Sequence, residues 1–144
     1  MLFFGQLAIM LAAGFTGAAL YITTAEQPAR LDLDDRALLT EWKTAYKRGS
    51  SMQASLAGLS FLLGLGAWWQ TSEWRWLLGA GVLVTSWPYT LLVMKPTNSK
   101  LMAMDPASAG AEGRALVTAW GRLHAVRTDL GLMATVLFVW ASLR

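Results

Sequence analysis

Long apolar runs alternate with polar stretches along the chain, and that alternation predicts four membrane helices. The first run, 2–23, reads LFFGQLAIMLAAGFTGAALYIT and contains no charged side chain. The second covers 51–69 and the third about 74–94. The fourth, 130–143, is too short alone for a hydrocarbon core that needs roughly 20 residues. It must take in the polar stretch before it, which places that helix at about 115–143. Small residues recur on these runs, among them Gly14, Gly17, Gly58, Gly64, Gly79 and Gly81. In lipid they let helix backbones approach closely, which favours a compact bundle. The first run lacks a basic segment before it and is longer than the apolar part of a signal peptide, so it reads as a retained helix.

Between the first two runs, LDLDDRALLTEWKTAYKRGSS has a different period. Asp34 or Asp35 can cap a helix, after which Leu38, Leu39, Trp42 and Tyr46 share one face. The expectation is a short amphipathic helix at about 35–47 on the membrane surface, with a bend at Gly49 and the following serines.

Composition supports lipid as solvent. The 144 residues suffice for one domain; 55% are hydrophobic and 15% charged, with a mean hydropathy of +0.40. A soluble domain carries about 25% charged residues. The absence of cysteine excludes disulfides and thiolate metal sites. The net charge of +3 is small and reads as loop charge, so no nucleic-acid partner is expected. Ten of the twelve basic residues fall in or near the two longer loops; only Arg75 and Arg144 lie on the other side. The positive-inside bias places both longer loops in the cytoplasm and both termini outside, with a bacterial inner membrane as the expected setting. Trp68, Trp69, Trp74 and Trp76 cluster at the opposite end, where an aromatic belt would anchor the chain.

With sides assigned, the polar groups converge on one end. Tyr21 and Glu26 close the first helix there, and Tyr46, Lys47 and Gln53 open the second. Trp87 and Tyr89 lie in the inner half of the third, which runs into Lys95, Pro96 (read as a helix stop) and Asn98. Trp120, His124, Thr128 and Gly131 follow at spacings of four, four and three, one helical stripe with Arg127 beside it. An amide such as Gln53 is costly against lipid and needs a partner.

Inventory narrows the chemistry. One histidine rules out bis-His haem within one chain, the two-His iron triad and the three-His zinc site. His–Met haem ligation is open on the seven methionines, without an attachment motif. No phosphate loop or nucleophile elbow occurs. An imidazole with an arginine one turn away and aromatic walls suits proton abstraction from an aromatic or carbonyl carbon acid, the cation holding the resulting oxyanion. In this reading His124 is the base and Arg127 the anion stabiliser. Lys95 assists, Asn98 and Gln53 orient the substrate, Trp87, Tyr89 and Trp120 stack on its rings, and Thr128 completes the stripe.

EQPARL, EWKTAYKRGSSMQASLA, KPTNSKLMAMDP and WGRLHAVRTDL together resemble the anthrone oxygenase-like family of small four-helix membrane proteins. The likeness spans most of the chain. It implies oxidation of polycyclic anthrones to anthraquinones by O2 with no metal or flavin cofactor, and site positions at Pro96, Asn98, Trp120, His124 and Arg127. Tyr46, Lys47 and Gln53 belong to the motif entering the second helix. Expected partners are membrane lipid, a hydrophobic aromatic small molecule and O2, and a homo-oligomer is compatible with the pattern. Two alternatives stand beside the enzyme: a non-enzymatic binder of a lipid or quinone-like ligand, and a structural partner subunit.

Overall fold

The computed structural model describes residues 3–144, and the expected helix start at Leu2 lies outside the described residues. The described chain is all helical: α1 (Phe3–Leu31), α2 (Asp35–Thr71), α3 (Arg75–Ala103) and α4 (Gly110–Ser142), with a short 3-10 turn at Pro106–Ser108. α1, α3 and α4 are long and apolar enough to cross a membrane. α1 packs on α2 and α4, and α3 packs on the same two.

α2 corrects the sequence reading. It runs unbroken for 37 residues, so the separate surface helix at 35–47 and the bend at Gly49 do not occur. Asp34 caps it as expected, accepting from Ala37 N at 2.9 Å. Its amphipathic first turns are no surface element either, because Leu38, Leu39 and Trp42 are fully buried against Met94, Leu101, Val117 and Trp120. Glycine tolerates a helix, and once both flanks are packed a helical Gly49 costs only about 0.5–1 kcal/mol relative to Ala.

Pro96, read as a helix stop, also behaves differently from expectation. Pro28 and Pro96 end neither α1 nor α3. A proline lacks an N–H and crowds the carbonyl four residues back. Here a wide π turn precedes each one, at Ile22–Glu26 and Thr90–Met94, where Gln27 N–H bonds to Ile22 O and Lys95 N–H to Thr90 O. The helices therefore continue past their prolines to Leu31 and Ala103. Pro88 follows a local break at Thr85.

Two apolar clusters fill the interior. One is built on Ala8, Ala12, Phe15, Ala57, Ala80, Leu83, Ala134 and Phe138. Trp76 belongs to it, fully buried with its ring 5.6 Å from Phe138, so it is a core residue and not part of a belt. Trp69 and Trp74 remain exposed. The other cluster gathers Leu38, Leu39, Trp42, Met94, Leu101 and Val117. Small residues make the close approaches possible: a Cβ on Gly131 would meet Phe15 at 2.8 Å. Gln53, His124 and Arg127 lie along their helices between the two clusters.

Candidate functional site

A cavity of about 340 Å³ opens in that polar layer. Its floor carries Gln53, Asn98, Trp120, His124 and Arg127, and its mouth lies between α1 and α2 at Tyr21, Arg48 and Met52. Those three mouth residues are exposed, whereas every floor residue is buried. α2 contributes Tyr46, Gly49, Ser50 and Gln53, which share one side of a helix advancing about 100° per residue. α4 contributes the stripe read from the sequence: Trp120, His124, Arg127, Thr128 and Gly131 are all buried.

The His124 ring stacks on Trp120, with centroids 4.9 Å apart and planes at 29°. Trp120 meets Trp42 edge-on at 5.7 Å, and Trp42 stacks on Tyr46 at 4.8 Å. His124 Nδ1 lies 3.4 Å from Thr23 Oγ1, and Thr23 Oγ1 lies 2.9 Å from Thr128 Oγ1. Arg127 sits 5.5 Å from the Phe15 ring centroid. Among the described residues it forms no ion pair, and its Nε has no hydrogen-bond partner. Gln53 Nε2, Asn98 Oδ1 and Trp120 Nε1 are likewise buried and unpartnered. Buried polar atoms are normally satisfied, and these four line one cavity without a protein partner among the described residues.

The structure brings together six of the residues assigned to the site from the sequence, Tyr46, Gln53, Asn98, Trp120, His124 and Arg127, with Tyr21 and Glu26 of the same polar end. Lys47 is exposed and lies one residue further round α2, off the cavity side. Lys95 faces an adjacent cleft that shares Tyr46 and Asn98. Trp87 is 45% exposed, wedged against Gly58, and lines a separate groove that Arg127 also borders. Tyr89 donates its hydroxyl to Leu123 O at 2.9 Å and braces α3 on α4. Thr128 is buried behind His124 and does not line the cavity.

Sequence reasoning missed Arg30. It is 3% exposed, paired with Glu26 and with Glu41 (Nε–Oε2 2.7 Å), and its guanidinium lies 5.5 Å from the Trp120 ring centroid. Gln27, also missed, donates to Val117 O at 2.9 Å and accepts from Arg30 Nη1 at 3.2 Å. Gly121 leaves room for it, since a Cβ there would sit 2.5 Å from Gln27 Nε2. Arg30 counted as a loop charge because the first apolar run ends at residue 23; the i, i+4 spacing of Glu26 and Arg30 was the available signal. Among the described residues no three His, Asp or Glu side chains converge on a metal site.

The family model described as anthrone oxygenase matches residues 42–137. The chain is 32% identical to an anthrone oxygenase of Aspergillus fumigatus, over 95% of this chain and 91% of that protein. It is 30% identical to an anthrone oxygenase of Claviceps purpurea, over 90% and 83%, and 27% identical to one of a Cryptosporiopsis species, over 92% and 84%. These relatives are fungal and lend no support to a bacterial inner membrane. No solved structure matches the chain at a significant level.

Proposed function

The chain belongs to the anthrone oxygenase family, and from that premise we propose that it oxidises an anthrone-like phenolic polycycle with O2, using its own side chains as the catalytic groups. The observation that carries the reading is the pairing, in one aromatic-walled cavity, of the only histidine with a buried arginine that has no carboxylate partner among the described residues. A volume of about 340 Å³ falls within the roughly 300–1,000 Å³ range of small-molecule sites.

His124, as neutral imidazole, removes a proton from the ring methylene. The negative charge settles on the ring oxygen beside Arg127, which no carboxylate neutralises among the described residues. Trp120 and Tyr46 flank the ring system; Gln53 donates from its free Nε2 to the ring oxygen, and Asn98 Oδ1 accepts from a phenol hydroxyl of the substrate. The anion passes one electron to O2, and the two radicals join to form a carbon–oxygen bond. The imidazolium returns its proton to the peroxide. Loss of the second methylene proton then breaks the O–O bond, so CH2 and O2 become C=O and water. One oxygen atom stays in the product, the stoichiometry of a monooxygenase.

All four helices cross the bilayer in this reading, α2 through its apolar half at 51–69. The cavity end faces the cytoplasm, because the basic loops lie there. An apolar substrate held in lipid enters sideways between α1 and α2.

Oxygen uptake by the purified protein in lipid nanodiscs, with an anthrone as substrate, tests the proposal. His124→Ala should abolish the acceleration over spontaneous oxidation, a loss of at least about 100-fold. A variant as fast as the parent sinks the base assignment. No turnover by the parent, together with an aromatic or lipid molecule that co-purifies in the cavity, would favour a binding protein.

A further inference from the structure

Two threonine hydroxyls beside His124 do not bond to their own helix. In a helix, a threonine hydroxyl commonly donates to the carbonyl four residues back. Thr16, Thr24, Thr90 and Thr135 all do so here. Thr23 and Thr128 make no such bond; their hydroxyls meet each other at 2.9 Å, and Thr23 also reaches His124 Nδ1 at 3.4 Å. Thr23 sits in the π turn at Ile22–Glu26, where the hydrogen-bond ladder widens beside α4.

We infer that Thr23 is a positioning residue that sets the tautomer of His124, accepting from Nδ1–H so that Nε2 is the bare nitrogen presented to the cavity. The inference rests on the base role proposed for His124. Either hydroxyl can donate in the 2.9 Å contact; in this assignment Thr23 gives its single hydroxyl proton to Thr128 Oγ1, the shorter of its two contacts. The remaining lone pairs of Thr23 are then free to accept from Nδ1–H. Which ring nitrogen carries the proton is decided by the partner of the other. His124 lines the cavity, and its Nε2 has no hydrogen-bond partner among the described residues. Trp120 covers one ring face and prevents the ring from turning freely. When Nε2 takes a proton, the imidazolium retains an acceptor at Nδ1. In catalytic triads a carboxylate fills that place; here a pair of neutral hydroxyls does. Nothing in the cavity's aromatic or charged set makes this contact, so Thr23 acts on the substrate only through His124.

Because the chain has one histidine, 15N-histidine labelling reports a single imidazole. In the parent, at a pH where the ring is neutral, Nδ1 should carry the proton and Nε2 should be bare. Thr23→Val keeps the shape and removes the acceptor; the population should shift toward Nε2–H. With an anthrone, kcat should fall about tenfold or more while KM stays within about twofold, and Thr23→Ser should restore both. Thr128→Val, which leaves Thr23 in place, should move the tautomer in the same direction by less. A role confined to packing would leave the tautomer untouched. A parent ring protonated at Nε2, or a Thr23→Val ring with the parent's tautomer, overturns the inference. The spectrum needs no turnover, so a tautomer that follows Thr23 in a protein without oxidase activity refutes the proposed reaction and leaves this assignment standing.

Discussion

The two buried arginines near His124 occupy opposite electrostatic settings. Arg30 is matched by Glu26 and Glu41 and lies over Trp120; Arg127 has Phe15 beside it and no carboxylate partner among the described residues. A buried charge without a partner is costly, so its retention needs a reason outside stability. The two should therefore separate on substitution. Arg30→Gln strands two carboxylates and should lower stability by about 1–3 kcal/mol. Arg127→Gln removes an uncompensated cation, so stability should hold or rise while kcat/KM drops about 100-fold. Thermal unfolding in detergent, run beside oxygen uptake, reads both, and an Arg127→Gln protein that unfolds more easily than Arg30→Gln would contradict the contrast. At this scale much was legible in the sequence. Gln53 stands out as polar in an apolar run, and His124 and Arg127 because the fourth helix must take in their polar stretch to reach spanning length, where burial or a partner is required. Thr23 and Arg30 were not legible as site residues. A threonine in a helix carries no polar signal of its own, and Arg30 looked like one more loop charge until α1 continued past Pro28.

Four helical segments follow from the apolar runs, because backbone groups in lipid must be satisfied within the helix; their bounds do not, since α1, α2 and α3 all run well past the apolar stretches. Continuity does not follow. Whether Gly49 bends or carries α2 onward depends on Leu38, Leu39 and Trp42 packing under α3 and α4, a tertiary contact that local composition does not encode. The π turns are similarly hidden, since they answer to a proline several residues later. Such turns are frequent at functional sites, and the two here, Ile22–Glu26 and Thr90–Met94, belong to helices that wall the cavity. The straight α2 has a direct test. A Cβ on Gly49 meets nothing within 4 Å, so Gly49→Ala should raise stability by about 0.5–1 kcal/mol with the fold unchanged. Loss of stability would restore the bend as a structural need. Gly79 gives the opposite expectation: its added Cβ would lie 2.7 Å from Phe138 Cδ1, and the overpacking should cost about 1–3 kcal/mol.

For the molecule as a whole, the proposed function depends on which end of the helices meets the cytoplasm. Tyr21, Arg48 and Met52 at the mouth form an apolar lip with one cation, suited to an aromatic substrate drawn from the lipid near the headgroups. Ten of twelve basic residues sit at or near that end. Such a bias orients membrane chains through their short loops, so the 32–34 and 104–109 connections should be cytoplasmic and the 72–74 connection should face away. The chain has no cysteine, so each introduced thiol is a unique reporter. Asp32→Cys, Ser72→Cys and Ser108→Cys, treated in intact cells with a membrane-impermeant maleimide, should label only at Ser72→Cys; permeabilisation should expose the other two. The reverse pattern would turn the cavity outward. Labelling of Asp32→Cys together with Ser72→Cys from one side would mean that α2 does not cross, which matters because α2 is the helix that did not qualify as a span on hydropathy while supplying Tyr46 and Gln53 to the cavity. A cavity wall made by a non-crossing helix would stand in water, and the lateral entry of an apolar substrate would lose its physical basis.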